Sequence, residues 1–200
     1  MLRRITGAVV AALALTGCAT VAPSTVSVDD VRNFRPVSIE VKAAPDARII
    51  WATGEEAYIR ATGQTATVDA FTPTPQAKAF LGDLASQKLK SALDQKLAGV
   101  MSGSRPVRVV TTITGVDIPS AGRKILVGGS NQLRADTVIL DAKTGQQLTT
   151  YRGAESSNFQ GAGLLGVATQ ALVDDVRGSG GYEMLATTYA NDFTRWLTGV

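Results

Sequence analysis

Alternation of apolar and polar residues predicts the strands of this 200-residue chain. Val37, Ile39 and Val41 fall on one face of a segment whose other positions are polar, which is the period of a half-buried strand. Residues 54–72 show no clear period and offer only two short edge pieces, at 58–60 and 66–68. The predicted strands are residues 36–42, 48–51, 107–118, 133–141 and 147–153.

The last two strands predict a hairpin, because Asp141 opens a turn that closes at Gly145. A long helix is predicted from Pro75, with Thr74 as its N-cap, to the glycine and serine residues that begin at Gly99. Two further helices are predicted over 164–176 and 182–197, separated by a Gly-rich break. The last helix carries an apolar stripe that we interpret as core: Tyr182, Leu185, Ala186, Tyr189, Phe193, Trp196 and Leu197.

These elements predict an α+β fold, in which a long helix and the C-terminal helices pack on a small, mainly antiparallel sheet. Residues 36–200 are long enough to bury one core, so we expect a single domain there. Residues 18–35 are rich in Ala, Pro, Ser, Thr and Val, and we interpret them as a tether. Such a tether reaches at most about 60 Å when fully extended.

The N-terminal 17 residues have the order of a secretory signal peptide. Arg3 and Arg4 precede an apolar stretch, residues 5–15, that is too short to span a bilayer. The run Leu15-Thr16-Gly17-Cys18 that follows resembles a bacterial lipobox. This resemblance implies cleavage after Gly17, a diacylglyceryl thioether on Cys18, and acylation of the new amine by palmitate or a similar chain. The alternative is an ordinary secretory signal that happens to contain a cysteine.

Composition excludes several classes of function. Lys and Arg number 20 against 17 Asp and Glu, but loss of Arg3 and Arg4 with the signal peptide leaves 18 basic residues, so the mature domain is nearly neutral. It therefore offers no electrostatic argument for nucleic acid. The chain has no His, which removes the commonest general base and a common zinc ligand. With Cys18 acylated no thiol remains, and the fold must hold without disulfides.

Residues 161–166 match the dinucleotide-binding fingerprint Gly-X-Gly-X-X-Gly as letters. Residues 155–160, which precede them, do not form a buried strand, and we therefore prefer a flexible lead-in to a close-packed helix. Residues 161–173 carry no charge. Two interpretations stand for them: a plain buried helix, or a segment that rearranges onto a membrane or partner.

The connection over 119–132 is long for a compact domain, and long structured connections often carry function. It contains a candidate partner-binding loop formed by Arg123, Lys124, Ile125, Leu126 and Val127. The alternative is a short extra strand, since 125–127 is an apolar triplet.

No candidate for catalysis or for a metal or cofactor site emerges from the sequence. The paired acids Asp29-Asp30, Glu55-Glu56 and Asp174-Asp175 point apart within each pair, and we expect each on a solvated face. No Ser-Lys dyad or Gly-X-Ser-X-Gly elbow can be recognised. We expect Trp51 and Trp196 to anchor the core.

The hairpin at 133–145 and the terminal Tyr189, Phe193 and Trp196 look like the pattern of small proteobacterial envelope lipoproteins. The order of elements is also similar to the amino-terminal domain of TolB and to CsgG. These resemblances imply a non-enzymatic role in the envelope with a protein partner, and no cofactor. Because Ala19 rather than Asp follows Cys18, they also imply an outer-membrane location, most simply on the periplasmic side. The alternative function is an enzyme or small-ligand binder that uses acids and Arg residues near the sheet edge.

Overall fold

A computed structural model of the chain describes residues 23–120, 122–123, 130–157 and 181–199. A short 3₁₀ helix, Val68–Ala70, lies between the second and third α-helices. The other elements are, in order, α1 (Val28–Asn33), β1 (Phe34–Trp51), α2 (Ala52–Thr62), α3 (Pro75–Leu97), β2 (Arg105–Ile118), β3 (Asn131–Asp141), β4 (Gln147–Ser157) and α4 (Gly181–Thr198).

The four strands form one sheet in the order β1-β2-β3-β4. β1 and β2 run parallel, and α2 and α3 form the connection between them. β2, β3 and β4 are antiparallel neighbours. The predicted α+β class is therefore confirmed, with one parallel pair in a mostly antiparallel sheet.

One face of the sheet forms the core together with α3 and α4. Leu81, Leu89, Leu93 and Leu97 of α3 are fully buried, or nearly so, as the helical spacing predicted. The aromatic stripe of α4 is confirmed as core, with Tyr182, Tyr189 and Phe193 buried and Trp196 packed against the same cluster. The sheet contributes buried side chains from its two central strands: Val107, Val109, Ile113, Leu133, Ala135 and Ile139.

The local signals at the ends of elements are also confirmed. The Thr74 side chain accepts a hydrogen bond from the Ala77 amide, and Pro75 occupies the first turn of α3. In the hairpin, Asp141 accepts hydrogen bonds from the Lys143 and Thr144 amides, and Gly145 has a φ of 73°. Several hydrogen bonds lower the pKa of Asp141 to about 2, and the bond from the Thr144 amide contributes most.

Three strand predictions for the first half of the chain are wrong, and one of them is the edge piece expected at 66–68, where residues 66 and 67 are not in a strand and Val68 begins the 3₁₀ helix. The segments 36–42 and 48–51 are parts of one strand, since β1 passes through an irregular stretch between Ala43 and Arg48 and then pairs again with β2. The edge piece expected at 58–60 lies in helix α2, which ends at Gly63 with a φ of 65°. The apolar pair Tyr58-Ile59 suggested a strand, but Tyr58 packs against Phe71 and Phe80 from the helix.

The folded part of the chain begins earlier than the tether prediction placed it. Helix α1 starts at a capping box in which Ser27 accepts a hydrogen bond from the Asp30 amide. Val31 and Phe34 are completely buried. Residues 28–34 therefore pack on the domain, because these two apolar side chains add to its core.

The fold assignment makes a stability prediction for α3. Leu89→Asp places a charge in the core, and we expect a loss of several kcal/mol, enough to unfold a marginally stable domain. The matched control is Ser91→Asp, two residues along the same helix on its exposed side, which we expect to change stability by no more than about 0.5 kcal/mol. Thermal denaturation followed by circular dichroism measures both. Equal melting of the two variants would show that the buried face is misassigned.

Candidate functional site

A groove of about 900 Å³ lies between β1 and α3. It forms where β1 leaves the regular ladder: Ala43 pairs with Ile113 and Arg48 with Gly115, so four residues of β1 stand opposite one of β2. Such an insertion bends the longer strand away from its partner. Pro45 lies in this bulge, where a residue without an N–H group costs no ladder hydrogen bond.

The helix side of the groove is lined by small residues. Ala79, Gly82 and Ser86 follow one face of α3, spaced three and four residues apart. A Cβ atom built at Gly82 would lie 3.1 Å from the Cβ of Ala43, so this glycine permits the close approach of helix and strand. Ser86 is only 9% exposed, and its buried Oγ has no hydrogen-bond partner among the described residues.

The charged residues of the groove are mostly cationic. Lys42, Arg48, Lys78 and Lys90 line it, against only two acids, Asp46 and Asp83. Lys90 is paired with Asp94 at 2.7 Å. Within the described ranges the other three cations form no salt bridge. The groove therefore has an excess of positive charge that the domain itself does not neutralise.

The strand beside the groove is an edge strand. β1 pairs with β2 on one side, and no described strand pairs with its other side. Lys42 and Arg48 place positive charge on this edge, which disfavours pairing with a basic strand. The edge thus retains backbone hydrogen-bonding groups beside a concave surface.

A second polar cluster centres on Glu55, which is only 1% exposed. Its Oε1 accepts a hydrogen bond from the Trp51 amide at 3.3 Å, and its Oε2 lies 3.4 Å from Nη1 of Arg123. Burial raises the pKa of Glu55, and the nearby Arg123 guanidinium opposes this shift without cancelling it. The prediction of a solvated Glu55 is therefore wrong.

Arg123 and Ser120 extend this cluster to the 3₁₀ helix. Nη2 of Arg123 donates to the Val68 carbonyl at 2.6 Å. The Ser120 hydroxyl donates to Asp69 at 2.6 Å and accepts from the Arg123 amide at 3.1 Å. These groups mainly satisfy one another, so the cluster ties the start of the 119–132 connection to α2 and the 3₁₀ helix.

The structure places only part of the predicted sites. Gly17 and Cys18, loop residues Lys124, Ile125, Leu126 and Val127, the fingerprint at 161–166, the uncharged segment 161–173 and Asp174-Asp175 all lie outside the described residues.

Among the predicted residues that are described, Arg123 is the one member of the loop that can be placed, and it belongs to the Glu55 cluster. Asp29 and Asp30 lie on a solvated face, as predicted, and Asp30 also completes the cap of α1. Trp51 is confirmed as a core residue, with its ring 4.6 Å from that of Tyr182.

The groove and the burial of Glu55 were both missed by sequence reasoning. Ala44-Pro45-Asp46-Ala47 interrupts the alternation of β1, and it could have suggested a bulge. The small residues Ala79, Gly82 and Ser86 could have suggested a second functional face on α3. Burial of Glu55 carries no local signal, because its ionic partner lies 68 residues further along the chain.

Two kinds of feature are absent from the described ranges. No group of three or more acidic or cysteine side chains there is arranged to hold a metal ion. No helix in that part of the chain has the length and apolar character needed to cross a bilayer.

Comparison with known proteins gives likenesses of fold only. No protein-family model matches the chain, and no curated protein matches it. A candidate lipoprotein from Caulobacter crescentus is 20% identical, covering 57% of this chain and 81% of that chain, with a TM-score of 0.35. The PelC dodecamer of Paraburkholderia phytofirmans is 11% identical, covering 84% and 89%, with a TM-score of 0.39. The lipoprotein GNA1162 of Neisseria meningitidis is 15% identical, covering 72% and 99%, with a TM-score of 0.23.

These similar structures thus include bacterial lipoproteins. Since each TM-score is below 0.5, we draw no functional or assembly argument from them.

The Glu55 cluster makes a pH prediction. A raised carboxyl pKa means that the native state binds the proton more tightly, so this group's contribution to stability is full below the ordinary value of 4.5 and falls as pH rises. Residue 55 cannot ionise in Glu55→Gln. We therefore expect the unfolding free energy of the native protein, minus that of this variant, to decrease as pH rises above the ordinary value of 4.5.

Urea denaturation at several pH values measures this difference, with the exposed neighbour variant Glu56→Gln as control. A difference for Glu55→Gln that grows with pH would contradict the assignment, because it would mean that Arg123 outweighs burial.

Proposed function

We propose that this chain is a lipid-anchored protein of the bacterial cell envelope whose domain binds a protein partner without catalysing a reaction. The observation that carries the binding role is the open groove beside the edge of β1, with which no described strand pairs. The lipobox-like run at Cys18 supports the anchor. An exposed, largely apolar surface beside a strand edge is typical of an interaction site.

The anchor determines how the protein holds to its membrane. The mature domain is nearly neutral, so attraction to anionic lipid contributes little and the acyl chains must supply the affinity. Ala19 follows Cys18, and the absence of Asp there favours the outer membrane, with the domain on the periplasmic side.

A small-ligand binder or enzyme built from acids and Arg residues remains the second candidate function. Such a site requires polar groups that converge on empty space. Glu55, Arg123 and Asp69 instead interact with one another and with the backbone. In the groove, Asp46 and Asp83 are exposed, so water screens their charges rather than a closed pocket focusing them. These observations favour the binding module.

Membrane fractionation of the native protein and of Cys18→Ser tests the anchoring. Because only the thiol can form the thioether, we expect the native protein to incorporate labelled palmitate, resist high salt and yield to detergent. Cys18→Ser should lose the label, because it offers no thiol. Release of the native protein by salt alone, or palmitate on Cys18→Ser, would contradict the anchor. Recovery in the inner-membrane fraction of a sucrose gradient would contradict the outer-membrane location.

A further inference from the structure

We propose that the groove between β1 and α3 binds an extended, acidic segment of the partner protein, which adds to the sheet as a strand beside β1. This inference rests on the proposed function, because it names the chemistry of the partner at the groove. It is carried by four features of the described residues: the open strand edge, the unneutralised cations, the small-residue face of α3 and the unpartnered Ser86.

The strand edge requires the bound segment of the partner to be extended. Alternate residues of a strand direct their N–H and C=O groups to opposite sides, and β1 uses one side for β2. An extended segment can take up the groups on the other side, and it gains affinity from these main-chain bonds. A helix or an acyl chain cannot make them. A strand of about six residues would suffice for this pairing.

The charges of the groove determine which side chains the partner segment should carry. Lys42, Arg48 and Lys78 lie along the groove and form no salt bridge in the described part of the chain. Asp46 and Asp83 also line it, so these three cations retain an excess of one positive charge, since Lys90 is already paired with Asp94. An acidic segment is therefore attracted, and a basic one is repelled.

The small residues on the groove face of α3 determine how much space the side chains of the segment have. Every second side chain of an added strand would point toward α3, and the small residues Ala79, Gly82 and Ser86 leave room for these side chains. Ser86 is nine-tenths buried, and its Oγ lacks a partner within the described residues. A buried hydroxyl without a partner costs stability, and a polar group of a bound segment would remove that cost once the Ser86 side chain turns its Oγ toward the groove.

The test is photo-crosslinking in living cells with the full-length lipoprotein. The crosslinking amino acid p-benzoylphenylalanine replaces Gln87, an exposed residue of the groove, or Arg134, an exposed residue on the opposite face of the sheet. We expect the probe at Gln87 to give one dominant protein product, and mass spectrometry to map the crosslink to an acidic segment of the partner that forms a strand.

Two groove variants test the charge and the open space of the groove separately. Arg48→Glu combined with Lys78→Glu reverses two exposed charges, and we expect it to reduce crosslinking from Gln87 about five- to tenfold. Ala79→Trp fills the groove from an exposed helix position without changing charge, and it should reduce crosslinking similarly. The control, Lys143→Glu combined with Arg152→Glu, reverses two exposed charges away from the groove and should leave the yield unchanged. Circular dichroism melts of each variant confirm that it is folded.

The outcomes separate this inference from the proposed function. Crosslinking to lipid, crosslinking to a helical segment, or a yield that neither groove variant lowers would overturn the inference. Crosslinking to a protein from Arg134 but not from Gln87 would also overturn it, while leaving a protein-binding role intact. Absence of protein crosslinks from both positions would overturn the groove and the binding role together.

Discussion

The structure depends on the burial of one face of a four-stranded sheet against two helices, α3 and α4. Apolar burial supplies the main driving force, and a short polar chain inside the core fixes how the layers align. Thr111 and Thr137 share a hydrogen bond of 2.8 Å across adjacent strands, and Thr137 lies 2.8 Å from the hydroxyl of Tyr189 on α4. Tyr189 also donates to the Ala135 carbonyl at 3.1 Å. Because a buried hydroxyl without a partner is costly, these bonds favour one register of α4 on the sheet.

The same helix that builds the core also builds the groove. The leucines of α3 face the sheet, while Ala79, Gly82 and Ser86 face the bulged part of β1. Small side chains let helix and strand approach at Gly82 and leave space on either side of that contact. The core can therefore remain closely packed while the edge of the sheet stays accessible. A lipid on Cys18 would hold this edge near a membrane, within reach of an envelope partner.

Local chemistry made much of the fold predictable. Thr74 and Pro75 mark the start of α3, Asp141 and Gly145 mark the hairpin, and the aromatic spacing of α4 marks its buried face. The elements that were missed depend on distant contacts. The sequence of helix α2 shows no clear apolar period, and its Tyr58 packs against Phe71 and Phe80, which lie beyond the helix. The groove arises only when β1 and α3 are brought together, and Glu55 is buried beside an arginine that the chain supplies much later.

The central claim is that β1 presents an open edge in the protein before a partner binds. Hydrogen–deuterium exchange on the detergent-purified, full-length protein tests it most directly. Central strands have hydrogen bonds on both sides, whereas about half of the β1 amides point away from β2. The account predicts faster exchange in peptides covering residues 38–50 of β1 than in those covering residues 107–117 of β2. Equal and slow exchange in the two strands would contradict it, because another part of the chain would then already occupy the edge.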